Sequence, residues 1–98
     1  MIELFKLYME AIDTQITAEM LKSQTNSNVD LRDFFTHLMI EEGQHPTTIG
    51  LCLDKSRPSI YSSESRFVIR YENDKEYRLR YDFIRTEFDI LKKLNYDN

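Results

Sequence analysis

Residues 66–83 read RFVIRYENDKEYRLRYDF, and no other stretch constrains the fold as sharply. Phe67, Ile69 and Tyr71, then Tyr77, Leu79, Tyr81 and Phe83, alternate with polar or charged residues on both sides of a polar break. That is the period of a half-buried strand repeated twice, and it predicts a β-hairpin.

Cross-strand partners must share a face, which selects the register. A two-residue turn at Asn73 and Asp74 would set Ile69 against Arg78 and mix the apolar and charged faces. A three-residue loop of Glu72, Asn73 and Asp74 instead pairs Tyr71 with Lys75, Ile69 with Tyr77 and Phe67 with Leu79. It opposes Arg70 to Glu76 and gives Asp74 the loop position that needs a positive φ. The outward face then carries Arg66, Val68, Arg70, Arg78 and Arg80.

Around this hairpin the periodicity predicts three helices. Phe5, Tyr8, Met9, Ile12, Ile16 and Met20 recur at helical spacing, ahead of a polar run, SQTNSN at 23–28, that should end the first helix. In the second, Asp30 is the expected N-cap and Asp33 a first-turn carboxylate, with Leu31, Phe34, Phe35, Leu38 and Met39 as the apolar face. Gly43 is suited to end it in the left-handed conformation, and Pro46 forbids continuation. Ile49, Leu51 and Leu53 then alternate as a strand ending near Asp54, with a short strand possible at Ile60 and Tyr61. From Asp82 or Phe83, residues Ile84, Phe88, Leu91 and Leu94 return to helical spacing, with Lys92 and Lys93 in the last turn. The expected architecture is a single α+β domain over 1–98, in the order α-α-β-(β)-β-β-α. An antiparallel sheet of three to four strands has the helices on one face.

Composition excludes several classes. The 98 residues hold one cysteine, Cys52, which permits no internal disulfide and favours an intracellular setting. No run approaches the length of a membrane span and the N-terminal residues lack a signal-peptide pattern, so the expected location is the cytoplasm, or a host's if the chain is viral. The net charge of −4 hides an asymmetry. Residues 1–54 hold three basic side chains against nine acidic ones, and residues 55–98 ten against eight. Such polarity suits head-to-tail self-association or a charged partner, or simply solubility.

Three groups of residues are candidates for chemistry. Arg66, Arg70, Arg78 and Arg80, with Tyr61 nearby as a stacking surface, could contact a protein partner or single-stranded nucleic acid. The acidic balance and the interleaved Glu72, Glu76 and Asp82 argue for protein over nucleic acid. His37 and Glu41, four residues apart on the second helix, could join His45 as ligands for zinc. Glu3, Glu10, Asp13 and Glu19 could offer the first helix to a basic partner. Cys52 has no neighbouring base, two glycines cannot build a phosphate loop, and the carboxylates are scattered. These features predict a small non-catalytic binding or regulatory protein, an inhibitor or accessory factor without a cofactor. Its contacts are with a protein partner through the arginine-bearing face or the acidic helix, or with a second copy of itself through a sheet edge or a helix face. A nucleic-acid-binding module is the alternative, and a metal-dependent enzyme the third reading.

Overall fold

The computed structural model describes residues 2–12 and 26–96. They form five helices: α1 (Ile2–Ala11), α2 (Asn26–Glu41), α3 (Pro46–Leu53), α4 (Arg57–Asn73) and α5 (Lys75–Tyr96). Among the described residues there is no strand, so the expected sheet is absent and the domain is all-helical.

The hairpin is replaced by two helices meeting at one residue. The polar break is real, but Asp74 sits there in extended conformation, φ −125°, rather than at positive φ. It serves both helices: its N–H donates to the Arg70 carbonyl at 2.8 Å, ending α4, and its Oδ1 accepts from the Tyr77 N–H at 3.0 Å, starting α5. The Tyr77 N–H foremost, with the nearby Arg70 charge and the Glu76 N–H, holds the exposed Asp74 carboxyl below the usual carboxylate range. Arg78 and Asn73 satisfy two further α4 carbonyls, donating to Tyr71 O at 3.0 Å and Ile69 O at 2.7 Å.

Period two fails because half of the alternating residues face water. Phe67, Tyr77 and Tyr81 are buried, whereas Ile69, Leu79 and Phe83 are exposed. The residues that reach the core are Ile60, Ser63 and Phe67 on α4, then Tyr77, Tyr81, Ile84 and Phe88 on α5, spaced by three and four. The same correction covers the other expected strands. Ile49 and Leu53 are buried one helical turn apart on α3 while Leu51 is 81% exposed, and Ile60 and Tyr61 lie in the first turns of α4.

Boundaries differ for equally local reasons. Asn26–Asn28, expected to break the chain, lie in α2, which places Asp30 inside the helix instead of at its cap. Gly43 does end α2 at φ 86°, with Gln44 N–H bonded to Met39 O at 2.9 Å. Pro46, rather than leading into a strand, opens α3 behind His45, whose ring Nδ1 accepts from Thr47 N–H at 3.1 Å. Asp54, φ 57°, closes α3 so tightly that a Cβ on Gly50 would lie 2.6 Å from the Lys55 carbonyl oxygen. The last helix begins at Lys75, not near Asp82. Asp13, Ile16, Glu19 and Met20 lie outside the described residues.

Packing centres on α2, where residues 31–36 are all buried. On one side Phe35 meets Phe5 and Tyr8 of α1, with ring centroids 5.3 and 5.0 Å apart. On the other, Phe34 meets Phe67, Tyr77 and Tyr81 at 6.3, 4.7 and 5.6 Å. Seven of the twelve Phe and Tyr residues are therefore core. None of the helices among the described residues is long and apolar enough to cross a membrane.

Candidate protein-contact surface

Three of the four arginines proposed as a binding face, Arg66, Arg70 and Arg80, point toward the chain's own carboxylates, chiefly those of α2. Arg66 on α4 donates from Nε and Nη2 to the two oxygens of Asp33, each at 3.0 Å. Arg70 pairs with Asp30 and, at 3.7 Å, with Asp74, while Arg80 on α5 reaches Asp30 at 3.3 Å. Arg78 lies over the Tyr71 ring. Tyr61 stands apart on the first turns of α4, where Arg57 donates to its hydroxyl at 3.3 Å. No shared sheet face exists to gather these residues, and Arg70 does not oppose Glu76.

The ion pairs continue along α2. Glu41 accepts from Arg85 at 2.7 Å and from the Tyr81 hydroxyl at 2.8 Å, and Glu42 pairs with Lys92. The opposite charge of the two halves of the sequence is thus met within the fold: acids of α2, and Glu42 just past its end, against bases of α4 and α5.

His37 and Glu41 come together as their spacing implied, but His45 caps α3 and faces Thr47 instead. The third group at His37 is Glu64 of α4, 2.7 Å from Nδ1, and Phe67 stacks on the imidazole at 3.9 Å. No group of three or more metal-ligating side chains among the described residues is arranged to hold an ion.

A different surface stands out. Leu79, Phe83, Ile90 and Leu94 of α5 are 57, 65, 50 and 67% exposed. At about 100° per residue they fall within roughly 60° of arc, forming one stripe about 22 Å long on the side away from Tyr81 and Phe88. Beside its N-terminal half lies an apolar groove of about 530 Å³, lined by Ala11, Ile12, Leu31, Leu79, Phe83 and Ile84. Glu76 and Arg80 form its polar rim. Sequence reasoning had sent Leu79 and Phe83 to the core. The signal that finds the stripe is the spacing 79, 83, 90, 94, offset by half a turn from the core set 77, 81, 84, 88.

No protein-family model, curated protein or solved structure matches this chain.

Proposed function

We propose that the protein is a small non-catalytic binding module that works through protein–protein contacts, with the α5 stripe as its contact surface and a second copy of the chain as the occupant. The observation that carries this reading is the spacing of the stripe. The steps 4, 7 and 4 between Leu79, Phe83, Ile90 and Leu94 are the same read in either direction. Two α5 helices laid antiparallel about a two-fold axis between Thr86 and Glu87 therefore set Leu79 against the partner's Leu94 and Phe83 against the partner's Ile90. An isologous interface needs that self-complementarity. It also brings the projecting Ile90 and Leu94 of one copy to the groove beside Leu79 and Phe83 of the other.

Four anchors per copy make a small seam, of the size that supports transient rather than obligate association. Exposed apolar residues aligned along one helix at this density mark an interaction surface, whereas scattered ones would not. Sedimentation equilibrium tests the reading: a concentration-dependent dimer is expected, which Phe83→Glu returns to monomer without changing helicity. A wild-type chain still monomeric at about 100 µM would reject it, since even weak specific interfaces associate there.

A further inference from the structure

Glu87 stands half-way along the α5 stripe and at its edge. At about 100° per residue it lies roughly 50° from the mean direction of Leu79, Phe83, Ile90 and Leu94, on the flank that also carries Glu76 and Arg80 of the groove rim. We propose, resting on the antiparallel two-fold pairing above, that Glu87 limits self-association. The pairing sets it against the partner's Glu87, which keeps the dimer weak and under the control of charge.

Within one chain nothing neutralises this carboxylate. The residues three and four positions away on α5, those a helical side chain reaches, are Phe83, Ile84, Ile90 and Leu91, all apolar. Among the described residues Glu87 makes no hydrogen bond and no ion pair. Its neighbours in sequence behave differently, since Arg85 pairs with Asp89 at 3.3 Å. Helix α1 packs against α5 and brings one cation, Lys6, which is exposed and forms no ion pair with Glu87. Glu87 is therefore a half-buried anion among apolar neighbours that depends on water for its solvation.

The two-fold brings two such anions together. An axis perpendicular to both helices returns each flank of α5 to the same flank of its partner, so Thr86 meets the partner's Thr86 on one side and Glu87 meets the partner's Glu87 on the other. With the helix axes about 8 to 10 Å apart and a rise of about 1.5 Å between the paired positions, the two Glu87 Cα atoms come to about 6 Å. Carboxylates this close repel, and closing the seam removes water from both. Arg80, on the same flank, lies about 9 Å along the axis from the partner's Glu87, and it already donates to Asp30 at 3.3 Å. On the opposite flank Lys93 comes within two positions of the partner's Asp82, an attractive pair. Salt thus acts on the seam in both senses, and the effect of Glu87 is read by substitution.

Sedimentation equilibrium of wild type, Glu87→Gln and Glu87→Lys, alone and mixed, tests the proposal, with circular dichroism to confirm that helicity is kept. Glu87→Gln should tighten the dimer about fivefold, the size of one like-charge contact at this distance. Glu87→Lys alone restores a like-charge pair and should gain less. An equimolar mixture of wild type and Glu87→Lys should form heterodimers in excess of statistical pairing by native mass spectrometry, and high salt should remove the excess. A wild-type dimer left unchanged by Glu87→Gln, or a mixture that pairs statistically, would overturn this inference while the seam stands. Wild type and both variants all monomeric at about 100 µM would overturn the seam and this inference with it.

Discussion

Arg66 and Asp33 meet through two parallel 3.0 Å hydrogen bonds that tie α4 to the middle of α2. The Asp33 side chain is 1% exposed and the Arg66 side chain 46%, so the pair is a buried carboxylate held by a guanidinium rooted at the surface. Removing the cation strands the anion, whereas the reverse leaves an arginine that water still reaches. Arg66→Ala should therefore lose about 2 to 3 kcal/mol in urea unfolding, toward the lower end for a broken buried pair. Arg66→Lys keeps the charge but not the fork and should lose about half of that. An Arg66→Ala variant as stable as wild type would show that the pair holds nothing together.

Two buried hydroxyls offer the opposite result. Thr36 Oγ1 and Tyr77 Oη lie in the core without a hydrogen-bond partner. Each holds a polar group away from water with nothing in return, a cost of about 1 to 3 kcal/mol per group. Thr36→Val and Tyr77→Phe keep the shape and delete the group, so each should raise stability, by about 1 kcal/mol. Tyr8→Phe is the control, because the Tyr8 hydroxyl donates to the Leu31 carbonyl across the α1–α2 contact. It should destabilise by a similar amount, and the melting temperatures of the three variants should order accordingly.

Alkaline pH should unfold the protein through its tyrosines. Burial raises the Tyr8, Tyr77 and Tyr81 hydroxyls above their usual value of 10.0, and at Tyr81 the neighbouring Glu41 adds to it. Above about pH 10 these groups ionise in the unfolded chain while staying protonated in the fold, so the unfolded state binds fewer protons and stability falls as pH rises. Their contribution is fully present below pH 10. Three groups give a limiting slope of about 4 kcal/mol per pH unit, read as the urea midpoint between pH 8 and 11. Tyr77→Phe should remove about a third of the slope, and a flat profile would contradict the burial.

How much of this was legible in the sequence depended on the reach of each signal. Helical spacing gave α1, Ile2–Ala11, and the core face of α2. Gly43 marked the end of α2 because left-handed backbone has a local cause. The break near Asp74 was visible too, but not its kind. Exposed Leu79 and Phe83 filled the alternate positions between Tyr77 and Tyr81 and imitated a strand. A window running from Ile60 to Leu91 would have shown core residues at three and four. The lack of any glycine after Gly50 already weighed against a tight hairpin. The arginines were legible as a group, but their acceptors on α2 were not, since pairs such as Arg80 and Asp30, fifty positions apart, exist only once the helices are packed.

The antiparallel seam makes the sharpest prediction, because its register fixes which residues face each other across the axis. Phe83→Glu alone puts a carboxylate against the partner's Ile90, and Ile90→Lys alone puts an ammonium against the partner's Phe83. Each should weaken dimerisation by about 2 kcal/mol or more, roughly thirtyfold, as loss of a central anchor does. Combined in one chain, the two substitutions face each other twice across the two-fold and should restore part of the association, in a form that salt weakens. A parallel pairing would set like charge against like at both positions, and the double variant would then be worse than either single one. Sedimentation at low and high salt separates the outcomes: recovery supports the antiparallel two-fold, and a further loss excludes it.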